Sequence, residues 1–317
     1  MRVLGFKNLG NTCYLNSVLQ CIVYNSDFIQ FILKSNNNIG IIEYLSSILP
    51  LIDLTLKEDQ DQVCVVNTRK LISIIVSEKP WFNGFEQNDA HEFLSYLLDI
   101  LIEKTKKVSK ALKLKFDDEC HTNWYEFLVK NNSQIARDYY GQSKTIITCC
   151  NCENKSTVYD QFSSINLVVP LSKEPVKLVE LIKQYLTKEK HTDDNNLYKC
   201  DKCNLKSYYT KKNVLWKLPC VFIIVLKRYT HNGINKINTI VNIPTKNLSI
   251  EDMFLKKKVI YKLTGVVNHY GLQIGGHYNS NINLNDQWVN IDDTIVTKIK
   301  KEDLDCKNSY ILFYTKV

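Results

Sequence analysis

The cysteine in GNTCYLN (10–16) lies between a glycine turn and a helical pattern. Leu15, Val18, Leu19 and Ile22 recur at i, i+3, i+4 and i+7, the spacing of one helix face. Asn11 and Thr12 are both residue types that cap helix starts. Cys13 is therefore expected at a helix N-terminus, where the dipole and free backbone N–H groups favour a thiolate. A thiolate nucleophile calls for an imidazole to hold or remove its proton. Of the six histidines, His91 falls on a second helical segment, and His121, His191 and His231 have polar surroundings. His269 and His277 flank YGLQIGG, and the glycine pair before His277 permits the close approach of an open cleft. Downstream, WVNIDD (288–293) alternates like a strand and is placed to present Asp292 to His277 Nδ1, fixing its tautomer. The same residues also read as a helix-start cysteine, a turn histidine and a hairpin-end aspartate pair.

Four other cysteines form two C-x-x-C pairs, Cys149 with Cys152 and Cys200 with Cys203. Each pair in a tight turn directs two thiolates at one metal, and two pairs complete a tetrahedral structural zinc site. The 47 residues between the pairs exceed a compact ribbon, so two distant hairpin ends must be brought together. Cys150 leaves an ambiguity in the first pair. Free thiols are the competing reading.

The elements that must carry these groups change in kind along the chain. Helices are expected over Thr12–Ile22, between Asn67 and Ser77, and from Asp89 to about Glu103. In the last, Ala90, Phe93, Leu94, Leu97 and Leu101 share a face, and Asp89 with Glu92 resembles a capping box. After about Ser143 the chain turns β-rich. Strands are expected over Thr145–Thr148, Thr157–Phe162, Ile165–Val169, Val221–Leu226, Val259–Asn268, Gln287–Ile291 and Tyr310–Tyr314. A short helix is expected over Val176–Leu186. The class is α+β, helices first and an antiparallel sheet later.

The 317 residues suffice for one large domain or two smaller ones, and no repeat or low-complexity linker divides them. No signal peptide and no apolar run of membrane-spanning length is present. A cytoplasmic or nuclear protein is expected, its 11 cysteines kept as thiols or metal ligands. The net charge is +8, densest at Lys256–Lys258 and from Lys298 to Lys301. These runs read as solvated surface. Without interleaved aromatics they argue against nucleic-acid binding.

Together the stretches resemble the ubiquitin-specific proteases, the papain-like deubiquitinases. GFKNLGNTCYLNSVLQCI (5–22) is similar to that family's cysteine box, and HYGLQIGGHYN (269–279) with WVNIDD to its histidine box. QNDAHEFLSYLLDIL (87–101), LPCVFIIVLKRY (218–229) and YILFY (310–314) match its intermediate motifs in order, and the C-x-x-C pairs fall where the family carries zinc-bearing fingers. The resemblance spans residues 5 to 314. Asn88, where the family often has a second glutamine, and Tyr229, where phenylalanine is commoner, are mild departures. The run from Asn279 to Asn283 is more polar than the usual strand.

The resemblance implies one catalytic domain over 1–317: a helical thumb (about 1–125), zinc-bearing β fingers (about 140–215) and an antiparallel β palm (about 216–317), fingers and palm interleaved. It implies hydrolysis of the bond after ubiquitin's C-terminal glycine, with ubiquitin and ubiquitinated proteins as partners. Cys13 would be the nucleophile, His277 the base, Asp292 its orienting residue and Asn8 the oxyanion-hole side chain. Asp89, Tyr278 and His269 match positions that contact the ubiquitin tail or line the cleft. With little beyond a catalytic core, specificity is left to surface patches or an activating protein partner. A non-catalytic ubiquitin binder and a protease for a ubiquitin-like modifier are the alternatives.

Overall fold

The computed structural model describes residues 2–35, 40–52, 62–83, 86–108, 116, 118–230, 235–272 and 275–317. His231, Gln273 and Ile274 lie outside them.

The first helix, α1, runs from Cys13 to Val23, and all eleven residues are buried. The sequence pattern accounts for only one of its faces. The other carries Asn16, Ser17 and Gln20, which are buried because backbone carbonyls meet them. Gln20 Nε2 donates to Leu4 O at 2.8 Å and Asn16 Nδ2 to Phe6 O at 3.3 Å. Both acceptors lie on the strand Arg2–Phe6, which pairs in parallel with Gln62–Val66. α1 is thus a central helix wedged between that ribbon, other helices and a large sheet, not a surface helix.

Helices α2 (Ser26–Lys34), α3 (Gly40–Ile48), α4 (Arg69–Glu78) and α5 (Ala90–Thr105) surround it. Asp89 caps α5, accepting from the N–H groups of His91 (2.8 Å) and Glu92 (3.1 Å). Thr12 does not cap α1 with its side chain, contrary to the sequence expectation; that hydroxyl accepts from Leu9 N–H instead. Helical structure continues past residue 125 through α6 (Glu119–Lys130) and α7 (Gln134–Tyr139).

An eight-stranded sheet follows. Its main path runs Ile295–Ile299, Gln287–Asp292, Gly275–Leu284, Lys257–Leu272, Ser309–Lys316, Val221–Lys227 and Ser164–Val168, with Leu248–Asp252 alongside Lys257–Leu272. Every pairing is antiparallel except the last, where Ser164–Val168 lies parallel to Val221–Lys227. The strand VFIIVLK is buried on both faces. Val221, Ile223 and Val225 join the core shared with α1 and α5, while Phe222, Ile224 and Leu226 join a second core. That second core includes Leu178, Leu181 and Ile182 of α8 (Leu178–Leu186).

Gly265 lets α1 approach this sheet: a Cβ there would lie 3.0 Å from Cys21 Sγ. The polar run after Tyr278 is strand after all. Asn279 and Asn281 are buried because Asn268 Nδ2 (2.9 Å) and Asn290 Nδ2 (2.8 Å), on the flanking strands, donate to their side-chain oxygens. A separate four-stranded sheet, in the order Lys155–Phe162, Gly141–Cys149, Tyr209–Lys217 and Glu189–His191, carries the first C-x-x-C turn.

Candidate active site and metal centre

Three segments distant in sequence meet at the start of α1. Gly10 takes φ 135°, a value that favours glycine, and the turn it makes delivers Cys13 to the helix terminus. The register of Gly275–Leu284 with Gln287–Asp292 sets Ser280 opposite Ile291. Continued by one residue, it sets Asp292 level with Asn279, diagonal to His277 on the same face of the sheet. A diagonal neighbour is reached only by a long side chain. Hence the distal nitrogen makes the contact: His277 Nε2 lies 2.6 Å from Asp292 Oδ1. This corrects the sequence expectation of Nδ1 and leaves Nδ1 for the sulfur. The Cys13 sulfur is the main influence raising the pKa of His277, to about 9. Partial burial opposes the rise and Asp292 adds to it. Cys13 itself is 3% exposed.

Asn8 stands beside this group with its carboxamide fixed at both ends. Its Oδ1 accepts from Gly10 N (3.1 Å), Thr12 N (3.2 Å) and Thr12 Oγ1 (3.2 Å). Its Nδ2 donates to Asp293 Oδ2 at 2.9 Å. One amide hydrogen is left with no partner among the described residues. Asp293 was legible in the sequence only as the second of an aspartate pair. It also takes Asn16 Nδ2 on Oδ1 at 2.7 Å, and its backbone oxygen takes Phe6 N–H. No sequence spacing announces these partners. His277, Asp292 and Asp293 lie close enough to share a metal ion, but their bonds to each other and to Asn8 and Asn16 account for them.

The remaining sequence candidates fall nearby. Asp89 accepts from Tyr310 Oη at 2.7 Å through Oδ2, in addition to capping α5. Tyr278 and His269 are each 4% exposed and stacked, ring centroids 4.3 Å apart, so both rings are packed beneath the surface. Burial, with Lys236 nearby, lowers the pKa of His269 to about 4, so its ring is neutral at physiological pH. Tyr229 Oη lies 2.6 Å from His269 Nδ1 and donates to Gly271 O at 3.3 Å, two contacts a phenylalanine could not make. A Cβ on Gly276 would lie 2.2 Å from Tyr270 O, so the glycine before His277 is required there. The other described histidines serve packing. His121 meets the Trp216 ring edge-on and His191 stacks on Tyr209, while Asp118 Oδ2 lies 3.3 Å from His121 Nδ1 and Glu189 Oε2 3.7 Å from His191 Nε2, so aromatic neighbours join the polar ones the sequence suggested. His91 Nε2 meets Ser164 Oγ at 2.9 Å.

The four C-x-x-C cysteines come together. Cys149 Sγ lies 4.0 Å from Cys203 Sγ, and Cys152 Sγ 3.6 Å from Cys200 Sγ. Tetrahedral zinc with bonds of about 2.3 Å would set its sulfurs about 3.8 Å apart, so the cluster fits that ion. The two turns are built alike. Glu153 N donates to Cys149 O and Asn204 N to Cys200 O, with φ of 55° at Glu153 and 58° at Asn204. Cys150 is exposed and outside the cluster, which resolves the ambiguity in the first pair. No described helix is long and apolar enough to cross a membrane.

Comparison with known proteins finds a matching family and relatives over nearly the whole chain. The family model described as ubiquitin carboxyl-terminal hydrolase matches residues 4–314. The chain is 28% identical to human ubiquitin carboxyl-terminal hydrolase 2, covering 98% of this chain and 54% of that protein. It is 26% identical to human ubiquitin carboxyl-terminal hydrolase 21, covering 98% and 61%. The chain thus spans little more than half the length of these relatives. Among solved structures it is similar to the SAGA module of Ubp8, Sgf11, Sus1 and Sgf73 bound to ubiquitin aldehyde. The TM-score is 0.72 at 26% identity, covering 99% of this chain and 69% of that one. A yeast form of that module with an Sgf73 substitution gives 0.74 at 27% identity, covering 99% and 68%.

Proposed function

This chain belongs to the ubiquitin carboxyl-terminal hydrolase family, and from that membership we propose that it cleaves the peptide or isopeptide bond after the C-terminal glycine of ubiquitin. The observation that carries the proposal is the imidazole of His277, bonded at Nε2 to Asp292 and raised in pKa by the sulfur of Cys13.

In the proposed reaction the Cys13 thiolate adds to the glycine carbonyl. The oxyanion is met by the unused amide hydrogen of Asn8 and by backbone N–H at the helix start, each donor worth about 3 kcal/mol. Collapse of the intermediate breaks the C–N bond, and the proton on His277 passes to the leaving amine. His277 then removes a proton from water, the hydroxide adds to the thioester, and the carboxylate and Cys13 thiolate separate. Asp292 holds the ring so that Nδ1 faces the sulfur throughout.

Zinc on Cys149, Cys152, Cys200 and Cys203 would be structural, since four thiolates leave no open position for water. It would clamp the two finger turns together. A reducing compartment, cytoplasm or nucleus, suits both the metal thiolates and a free nucleophile. One structural relative was solved together with three other proteins, which supports an activating protein partner here as well.

The test is turnover of a ubiquitin C-terminal amide, with labelling by a ubiquitin-based electrophile mapped by mass spectrometry. We expect label on Cys13 and no turnover by Cys13→Ser. Ubiquitin binding without label would identify a non-catalytic binder. Turnover confined to fusions of another modifier would move the substrate.

A further inference from the structure

The carboxamide of Gln87 spans the mouth of the active site. Its Oε1 accepts from the backbone N–H of Gly276 at 3.3 Å, and its Nε2 donates to Asn11 Oδ1 at 3.2 Å. Gly276 immediately precedes His277, and Asn11 lies two residues before Cys13. Gln87 comes from a third segment, just ahead of the Asp89 cap. One side chain thus ties together the two strips of chain that hold the reacting residues.

A carboxamide carries the donor and acceptor of a peptide group. We infer that the Gly276 N–H and Asn11 Oδ1 form a reading pair for one peptide unit of the incoming C-terminal tail, and that Gln87 fills this place until substrate arrives. The inference rests on the proposed ubiquitin-cleaving activity and adds to it a closed resting state opened by exchange of like for like. Three observations support it. Cys13 is 3% exposed, so little of it meets solvent while Gln87 joins Asn11 to Gly276. Gln87 is exposed and its two bonds are long, so exchange with a main-chain amide costs little. Gly276 offers its N–H with no side chain of its own to obstruct a peptide laid beside it.

A latch that competes with substrate reduces apparent affinity by the fraction of time it is closed. Gln87→Ala should therefore lower KM for a ubiquitin C-terminal amide by about 3- to 10-fold, with kcat within about 2-fold, and speed inactivation by ubiquitin aldehyde by a similar factor. Asn11→Ala, which removes half of the reading pair along with the latch, should raise KM. A higher KM in Gln87→Ala would overturn the inference, because the side chain would then be gripping substrate. So would an unchanged KM with kcat reduced 10-fold or more, the mark of a residue that aligns Cys13 and His277. If the wild-type chain turns over no ubiquitin substrate, the activity reading fails on its own. The latch is then read from the Kd for free ubiquitin, tighter in Gln87→Ala if the inference holds and unchanged or weaker if it does not.

Discussion

Asp293 and Asn8, 285 positions apart in the chain, are joined by a 2.9 Å hydrogen bond from Nδ2 to Oδ2. Three donors hold the other end of the Asn8 carboxamide, so the bond fixes which way its remaining hydrogen points. Asn8→Ala should lower kcat on the order of 100-fold with little change in KM, the signature of a donor used in the transition state. Asp293→Ala leaves that donor present but loose, and should cost about 10- to 100-fold in kcat. Steady-state kinetics on a ubiquitin amide check both. Equal KM increases with kcat preserved would remove Asn8 from the oxyanion role.

The sulfur of Cys13 is the largest cause of the raised pKa of His277, with Asp292 behind it. In Cys13→Ala the imidazole should therefore titrate well below 9, toward its ordinary 6.5, as followed by NMR of the ring protons. In the wild-type chain kcat should fall as pH rises through about 9, where the ring loses the proton that the leaving amine needs. The sign for stability is the same. A folded-state pKa above the unfolded value means the contribution is complete below about pH 6.5 and lost as pH rises past about 9.

If zinc holds the two C-x-x-C turns, a purified chain should carry one equivalent, measurable by mass spectrometry of metals. Chelation or Cys200→Ser should lower Tm and raise KM for ubiquitin, while the Cys13 thiol remains reactive to a small alkylating agent. A metal-free chain with unchanged melting and ubiquitin binding would contradict the clamp.

Gly265→Ala should destabilise the protein by about 1–3 kcal/mol through overpacking, because the added methyl meets Cys21 Sγ in a closed interface. Denaturant unfolding gives the stability. Since α1 carries Cys13 at its other end, the same variant should also lower kcat. Full activity at reduced stability would show that the helix start is held independently, by the Asn8 and Asp293 bonds.

Much of this was present in local pattern. The continuous apolar run in VFIIVLK, the helix over residues 90–101 and the two C-x-x-C turns are short-range consequences of side-chain size, period and turn chemistry. They came out of the sequence within a few residues of their observed bounds. Cys13, His277 and Asp292 were identifiable as candidates because their neighbours, a glycine turn, a glycine pair and an alternating strand, announce chain conformations such groups need. Tertiary structure decided what spacing cannot encode. A diagonal strand register chose Nε2 of His277 for Asp292. Burial of the polar face of α1 was settled by carbonyls of a ribbon whose second strand lies some forty residues beyond the helix. Asp293 reached Asn8, and Gln87 reached Gly276, only because packing brought them together. Side-chain hydrogen bonds form over about 3 Å whatever the distance along the chain, so their partners are fixed when the core closes and not before.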